Sequence, residues 1–354
     1  MAHGNPHPDP PGVDLAKLEA YLKVACPDLA AGQLGGPLAG ELIAGGKSNL
    51  TYRIWGADRG STVVLRRPPL GHVLPTAHDM AREYRVIAAL HPTGFPVPTP
   101  IHLCPDADVI GAPFYVMSYV DGVVLRDQAQ TDALTPEDAG RAGDLLVETL
   151  AQLHGTDPAA VGLADFGRPD GYLERQVRRW YQQWERSKTR ELPTLDAVAD
   201  ALRSQLPSGG RTGIVHGDYR LDNVMFDVSV RRILAVLDWE MATLGDTLAD
   251  LGLLVVYSEL AAEGLAPTPS RLSPERGFRS GEQLVERYWE YAGAHPRPIG
   301  WYVALGYYKL AIISEGIHAR YLQGKTVGPG FELVGERVPE LVDRAQAALG
   351  TGRA

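Results

Sequence analysis

The sequence is poor in several features that mark particular classes of protein. Its two cysteines, Cys26 and Cys104, lie far apart and in no metal-binding spacing, which favours a reduced, cytoplasmic setting over a disulfide scaffold. No run of about 18 apolar residues is present, so no membrane-spanning helix is expected. Basic residues (34) are fewer than acidic ones (43), and the net charge of −9 argues against a binding surface for nucleic acid or an anionic membrane.

The length and composition suit a folded protein of two domains or one enzyme with two lobes, since 45% of the 354 residues are hydrophobic. Residues 1–12, rich in proline, histidine and glycine, are predicted to be a disordered tail that is neither a signal peptide nor an anchor. Residues 13–120 are predicted to form a β-rich first lobe. Residues 121–354 are predicted to form a mainly helical second lobe, because helical periodicity dominates after residue 122.

Short apolar runs separated by glycine, asparagine and aspartate predict antiparallel strands with tight turns in the first lobe. The elements predicted there are a helix over 13–26 that ends at Pro27, strands over 38–44, 50–55 and 62–66, a helix over 76–90, and strands over 101–103 and 109–120.

Apolar residues at helical spacing predict most of the second lobe. The elements predicted there are helices over 136–154, 172–186, 195–206, 247–258, 281–291, 301–323 and 331–349, and strands over 213–215, 224–226 and 233–237. The segment 261–279 is polar and contains several prolines, and it is predicted to be a flexible loop or lid.

The most informative stretch of the chain places His216, Asp218 and Asn223 on a loop between strands and Asp238 at the end of the next apolar run. This spacing is typical of the catalytic loop and metal-binding motif of protein kinases. There one aspartate accepts the proton of the attacking hydroxyl, and the asparagine and second aspartate hold Mg²⁺, which prefers oxygen ligands. The alternative is a solvated polar loop, but the apolar strands on either side favour the kinase interpretation.

A glycine-rich turn lies between the first two predicted strands. It is not a P-loop, because Glu41 stands where that motif requires glycine and because a strand, not a helix, follows. A glycine-rich turn between strands is how kinases cover the phosphates of ATP with backbone N–H groups. The residues predicted to do so here are Gly46, Lys47, Ser48 and Asn49. An ordinary hairpin is the alternative.

A basic residue follows in the third predicted strand, where a kinase has its phosphate-pairing lysine. The candidate is Arg66, or else Arg67. Arginine can bind phosphate through two N–H groups. Glu83 lies in the middle of the next predicted helix, in the order expected for the glutamate that orients this basic residue. The alternative is that Glu83 is a surface residue beside Arg82 and Arg85.

Three motifs together resemble the aminoglycoside-phosphotransferase and choline-kinase-like family. They are residues 216–223 (HGDYRLDN), 237–240 (LDWE) and 245–251 (GDTLADL), and the resemblance extends over about residues 38–325. Residues 45–52, 64–68, 77–85 and 309–320 are similar to one subgroup, the kinase-like domains fused to or encoded beside acyl-CoA dehydrogenases. The resemblance implies a bilobal α+β protein-kinase-like fold, with a small antiparallel N-lobe and a large helical C-lobe. In this subgroup the basic strand residue is commonly arginine.

The resemblance also implies roles for individual residues. Asp218 would be the catalytic base, Asn223 and Asp238 would bind Mg²⁺, Arg66 would face the ATP phosphates and Glu83 would steady it. At the end of the last predicted strand of the first lobe, Ser118 and Val120 would offer backbone groups to adenine, with Met117 lining the pocket.

Several neighbouring residues are interpreted as supports of the catalytic loop. His216 is predicted to brace the loop, and Asp250 to be its structural partner. Three roles remain open for Arg220: pairing with Asp222, bracing the loop or contacting the substrate. For Lys309, which lies in an apolar helix, an internal ion-pair network and a substrate anchor remain equal alternatives.

The function expected from these features is transfer of phosphate from ATP with Mg²⁺ to a hydroxyl of a small molecule. The subgroup implies a hydroxyacyl acceptor and a functional link to an acyl-CoA dehydrogenase. Alternative acceptors are an aminoglycoside, an amino alcohol such as choline, homoserine or a sugar. A further alternative, suggested by Arg66 in place of lysine, is a nucleotide-binding module that transfers no phosphate.

Overall fold

The computed structural model describes residues 8–43, 49–57, 60–71, 79–266, 271–326 and 330–350. The predicted phosphate-covering residues Gly46, Lys47 and Ser48 therefore lie outside the described residues, as do most of the predicted tail, the start of the helix predicted from residue 76 and part of the segment 261–279. The chain divides into two compact units. One comprises residues 1–122 with Leu234–Glu240, and the other comprises Val123–Ile233 with Met241–Ala354.

The first unit is built on an antiparallel sheet, which has five strands within the described residues in the order β1-β2-β3-β5-β4. Its strands are β1 (Ala39–Leu42), β2 (Leu50–Trp55), β3 (Thr62–Arg67), β4 (Pro100–Cys104) and β5 (Phe114–Ser118), and its helices are α1 (Leu15–Ala25), α2 (Pro27–Ala31) and α3 (Met80–Leu90). The predicted antiparallel arrangement is confirmed. The last strand, however, ends at Ser118 and not at residue 120.

The helix α1 packs on this sheet, and a capping residue in the local sequence determines where it begins. Asp14 caps it, since its carboxylate accepts a hydrogen bond from the Lys17 N–H at 3.0 Å. Leu15, Leu18 and Leu22 recur at helical spacing and belong to the same buried cluster as strand residues of the sheet. As predicted, this helix ends before Pro27, and Pro27 is also the first residue of α2, a position that suits proline.

The second unit is mainly helical. Its helices are α4 (Gln128–Asp132), α5 (Pro136–Gly155), α6 (Tyr172–Ser187), α7 (Pro193–Ser204), α8 (Leu248–Ala262), α9 (Gly281–Ala292), α10 (Gly300–Leu322) and α11 (Val338–Gly350), and β6 (Thr212–Val215) pairs antiparallel with β9 (Thr243–Asp246). The short strands β7 (Val224–Phe226) and β8 (Ile233–Val236) complete the described strands, and β8 lies mostly in the first unit. The predicted α+β class is confirmed, although α4 and β9 were not predicted and the last helix begins later than residue 331.

Close packing of α8 against α10 positions the side chains described below. Gly252 in α8 lies so near α10 that an added Cβ would come within 2.5 Å of the Tyr302 backbone. Both helices are apolar around most of their circumference, as expected for helices buried in a core. No helix among the described residues is both long and apolar enough to span a membrane.

Candidate active site

Arg66 is the centre of a charged cluster in the first unit. The register of the sheet places it on β3 opposite Thr51 and Tyr115. Its Nε donates to Glu83 Oε2 at 2.8 Å, and its Nη2 donates to Asp238 Oδ1. Burial alone would lower the pKa of Arg66, but Tyr115, Glu83 and Asp238 outweigh it, so the pKa is raised and the guanidinium stays charged.

Glu83 is held by more than Arg66. Its side chain receives hydrogen bonds from Asn49 Nδ2 at 2.6 Å and from the Tyr115 hydroxyl at 3.0 Å. Glu83 is 1% exposed, so the alternative of a surface residue does not describe it. Burial raises the pKa of Glu83 above its ordinary value, and Arg66 opposes this. The Asn49 amide also donates to Glu240 at 3.1 Å, so its side chain is engaged within the cluster.

Arg67 points away from this cluster, because successive side chains of a strand face opposite sides of the sheet. It is 5% exposed and donates to the carbonyl groups of Gly12 and Ile110. Of the two candidate arginines, only Arg66 therefore meets the predicted orienting residue Glu83.

Asp238 has an uncommon backbone conformation, with a φ of +66°. Residues with a Cβ rarely adopt positive φ, and such strain persists only where the surroundings enforce it. The next residue, Trp239, is 1% exposed, and its indole N–H donates to the Val236 carbonyl at 3.0 Å. Its ring also packs edge-on against Phe95. The buried tryptophan thus fixes the chain that presents the Asp238 carboxylate.

At the end of β5, Met117 is buried and Ser118 is tied to the chain before β4. The Ser118 N–H donates to the Thr99 carbonyl, and the Thr99 N–H donates to Ser118 Oγ, both at 2.9 Å. Val120 lies just beyond the strand and is half-buried. The Ser118 N–H is therefore already engaged within the first unit.

In the second unit, Asp218 and Asn223 are brought together at the end of β6. Asn223 Nδ2 donates to the Asp218 carbonyl at 2.9 Å and to Asp218 Oδ2 at 3.1 Å. The hydroxyl of Tyr257 donates to Asp218 Oδ1 at 3.1 Å, and Arg220 lies 3.4 Å from Oδ2. Burial would raise the pKa of Asp218, but the charges of Arg220 and Lys309 outweigh it, and the pKa lies below its ordinary value. The carboxylate is therefore ionised at neutral pH.

The backbone before Asp218 is fixed by buried side chains. Asp250, on α8, accepts hydrogen bonds from the N–H groups of His216 at 2.6 Å and Gly217 at 2.8 Å. His216 is fully buried, and its Nδ1 accepts from the Asp218 N–H at 3.2 Å. These contacts agree with the roles predicted from the sequence, in which His216 braces the loop and Asp250 is its structural partner.

Replacing Gly217 by alanine is expected to destabilise the protein by about 2–4 kcal/mol. Gly217 has a φ of +85°, and an added Cβ would lie 2.8 Å from the Met241 carbonyl oxygen. Urea unfolding would measure the loss. Gly111→Ala is the matched control, since Gly111 has a φ of +83° with no atom within 4 Å of the added Cβ, and about 1 kcal/mol is expected there. Equal losses in the two variants would contradict the steric argument.

Some residues of the two clusters were not predicted. Tyr115 and Thr51 reach Arg66 or Glu83 only through strand pairing, for which the sequence has no local signal. Tyr257 did have a local signal. It lies seven residues, or two helical turns, after Asp250 on α8, so both side chains reach residues 216–218.

An apolar cavity of about 50 Å³, partly open to solvent, lies in the second unit beside residues that contact Asp218. Tyr257 and Arg220, which both contact Asp218, form one side of it. The walls include Leu146, Leu254, Phe278 and Leu284. Arg279 also lines the cavity, and it is paired with Asp144 through two hydrogen bonds of 2.9 and 2.7 Å.

Comparison with known proteins agrees with this geometry. Rat "Acyl-CoA dehydrogenase family member 11" is 35% identical over 335 residues, which cover 93% of this chain and 42% of the relative. The chain thus spans less than half the length of that relative. The solved structure of a "putative aminoglycoside phosphotransferase" from Ralstonia eutropha is 31% identical, with a TM-score of 0.79, over 95% of this chain and 98% of the other.

A third protein shares the fold alone. The aminoglycoside phosphotransferase APH(4)-Ia, solved with AMP-PNP and hygromycin B, is 14% identical with a TM-score of 0.58, over 95% of this chain and 98% of the other. The predicted kinase-like fold and the predicted resemblance, including its acyl-CoA dehydrogenase subgroup, are confirmed. Residues 39–298 match the family model described as "Phosphotransferase enzyme family". The chain is therefore a member of the phosphotransferase enzyme family.

Proposed function

We propose that the protein uses ATP and Mg²⁺ to phosphorylate a hydroxyl group of a small hydroxyacyl compound. The observation that carries this proposal is Asp218, an ionised carboxylate oriented by Tyr257 and Asn223. Two of its contacts, Tyr257 and Arg220, line an apolar cavity. Phosphoryl transfer passes through a loose transition state, so the placement of the attacking hydroxyl matters more than the strength of the base.

Asp218 acts in this proposal as the catalytic base. Its Oδ1 and Oδ2 each accept one hydrogen bond from a neighbouring side chain, and this limits rotation of the carboxylate. A hydroxyl of the acceptor donates to the carboxylate, which orients the oxygen and accepts its proton as the bond to phosphorus forms.

Asn223 and Asp238 are suited to hold Mg²⁺. The Asn223 amide nitrogen is engaged by Asp218, so its carbonyl oxygen is the atom left for a cation. Among the described residues, no group of three or more His, Cys, Asp or Glu side chains could hold a metal ion. A Mg²⁺ ion held by Asn223 and Asp238 would take its other ligands from phosphate and water. When bound, Mg²⁺ would neutralise charge on the phosphates.

Arg66 is proposed to bind the ATP phosphates, with Glu83 holding the guanidinium in place. The Ser118 carbonyl and the Val120 backbone would pair with adenine beside Met117. Gly46, Lys47, Ser48 and Asn49 are proposed to cover the phosphates and to complete the nucleotide site.

The lining of the cavity favours an acyl acceptor over an aminoglycoside. Aminoglycosides carry several positive charges, which require carboxylates. Among the described residues, Asp222 is the acidic residue that lines this cavity, and it is already paired with Arg220 at 3.1 Å. Apolar walls instead stabilise a hydrocarbon chain by about 25 cal/mol per Å² buried. We also propose that the protein acts together with an acyl-CoA dehydrogenase, in keeping with the name of the rat relative.

The acceptor is tested by phosphate transfer from γ-labelled ATP to a panel of compounds. Hydroxyacyl-CoA thioesters and free hydroxy acids are expected to give kcat/KM values at least about tenfold above those of kanamycin, hygromycin B, choline and homoserine. A higher kcat/KM for any member of the second group would refute the acyl assignment.

A matched pair of leucines tests the cavity itself. Leu254 lines the cavity, whereas Leu253 is equally buried in the same helix and does not line it. Each leucine-to-alanine change is expected to cost about 2–5 kcal/mol of stability. Only Leu254→Ala is expected also to lower kcat/KM for the hydroxyacyl substrate, by about tenfold. If the two variants lowered kcat/KM equally, the cavity would not be part of the acceptor site.

A nucleotide-binding module without transfer is the second candidate. The observation in its favour is that Arg66, in place of lysine, pairs with Asp238, one of the proposed Mg²⁺ ligands. A thermal shift with ATP and Mg²⁺ but no turnover with any acceptor in the panel would support this function over phosphotransfer.

A further inference from the structure

Lys309 is a partly buried cation in the middle of α10, between the buried residues Tyr308 and Leu310. Burying an ammonium group costs free energy unless a partner compensates. Among the described residues, no carboxylate forms a salt bridge with Lys309. Its Nζ instead donates to the Gly217 carbonyl at 2.8 Å and lies 5.6 Å from the centre of the Trp180 ring. The sequence left two alternatives for Lys309, an internal ion-pair network and a substrate anchor. These contacts include no ion pair, so they do not support the first alternative.

The carbonyl that Lys309 binds belongs to the peptide that leads into Asp218. The N–H of the same peptide donates to His216 Nδ1 at 3.2 Å. The preceding peptide is held through the Gly217 N–H, which donates to Asp250 Oδ1 at 2.8 Å. Both peptides around Gly217 are therefore fixed by side chains, and Lys309 is the contact from α10.

The two helices behind these contacts are packed closely. Asp250 lies on α8 and Lys309 on α10, and Gly252 allows the helices to approach as described above. Gly217 has a positive φ and no side chain of its own to resist rotation. The conformation of this glycine therefore depends on its hydrogen bonds to Asp250 and Lys309.

We infer that Lys309 is a positioning residue for phosphate transfer, which holds the Gly217–Asp218 peptide so that the Asp218 carboxylate meets the acceptor hydroxyl. This inference rests on the role proposed above for Asp218. Rotation of that peptide displaces the Asp218 Cα, and misplacement of a reacting group by about 1 Å can cost about 100-fold in rate.

A functional lysine and a structural one have opposite effects on stability. Methionine has nearly the same length as lysine and no charge to bury. If Lys309 serves transfer, Lys309→Met should keep or raise the melting temperature, because a buried cation with few partners is itself destabilising. If Lys309 only supports the fold, the melting temperature should fall.

The test compares Lys309→Met with Lys188→Met. Lys188 pairs with Glu185 and Glu191, outside the catalytic loop. For Lys309→Met we expect kcat to fall about 10- to 100-fold, with the KM values for ATP and for the best hydroxyacyl acceptor changed by less than about twofold. The melting temperature should not fall. Hydrogen exchange in the segment 214–221 should become faster, and the control variant should match the wild type in every measurement.

Three results would overturn the inference. A raised KM for the acceptor at unchanged kcat would make Lys309 a substrate anchor. A lower melting temperature at unchanged kcat would make it structural. If Lys309→Met does not fold, Lys309→Gln, which removes the charge and shortens the donor, must show the same loss of kcat, and a wild-type kcat would overturn the inference.

Failure of the proposed function would be recognised separately. If the wild type transfers phosphate to no acceptor, the phosphotransferase proposal fails. Hydrogen exchange alone then tests whether Lys309 holds the loop in place. Faster exchange in 214–221 for Lys309→Met would support its hold on the loop, and unchanged exchange would refute it.

Discussion

Replacing Asp218 by asparagine is expected to lower kcat about 10²- to 10⁴-fold, the range that a general base contributes. Asparagine has the same shape as aspartate and can still accept the hydrogen bond from Tyr257 through its carbonyl oxygen. It cannot accept the proton of the attacking hydroxyl. Nucleotide binding should persist, because Arg66, Glu83 and Asp238 are unchanged. Phosphate transfer and the thermal shift with ATP and Mg²⁺ measure the two properties.

Asp200→Asn is the matched control for this variant. Asp200 lies on α7, where it pairs with Arg203 at 2.7 Å, and it neither lines the cavity nor contacts Asp218. Its replacement is expected to change kcat by less than about twofold. If Asp218→Asn kept more than a tenth of the wild-type kcat, Asp218 would not be the base. A loss of nucleotide binding would instead place Asp218 in the nucleotide site.

Replacing Arg66 by methionine is expected to destabilise the protein by about 3–5 kcal/mol, because it leaves the buried Glu83 and the half-buried Asp238 without their cation. Glu83 and Asp238 would lose their shared partner, and Glu240 lies near the same cluster. The affinity for ATP should also fall by at least about tenfold, since arginine contacts to phosphate are strong. Urea unfolding and ATP titration measure these losses.

Further variants separate charge from geometry at this position. Arg66 reaches Glu83, Asp238 and Thr51 through three different nitrogens, whereas lysine has a single one, so Arg66→Lys should lose about 1–2 kcal/mol. Arg67→Lys is the control, because Arg67 faces away and its replacement should leave ATP affinity unchanged. The double variant Arg66→Met/Glu83→Gln should recover part of the stability. An ATP affinity for Arg66→Met equal to that of the wild type would exclude Arg66 from the phosphate site.

Local patterns in the sequence predicted the long elements well. The strand β2 has the predicted bounds, and α5 and α6 differ from their predicted bounds by one residue at their ends. Such elements are specified by apolar periodicity over many residues, and helix starts also by caps such as the predicted Asp14. The strand β9 was missed because its four residues acquire strand geometry from pairing with β6, in which Gly213 lies opposite Gly245.

The spacing of the motif residues by itself determined the candidates Asp218, Asn223 and Asp238, because a kinase-like catalytic loop needs these side chains at these intervals along the chain. It also determined that a basic residue and a glutamate should precede them. Only the tertiary structure decided between Arg66 and Arg67. Neighbouring side chains on a strand face opposite ways, and the register with β5 settles which one meets Glu83.

The contacts of Asn49, Tyr257 and Lys309 were likewise decided only by tertiary structure. Each joins residues distant along the chain, such as Lys309 and Gly217, which are 92 positions apart. A buried polar side chain needs a partner, but its own sequence neighbourhood does not say which one. The sequence therefore determined the chemical groups of the site, and the packing of helices and strands determined what orients them.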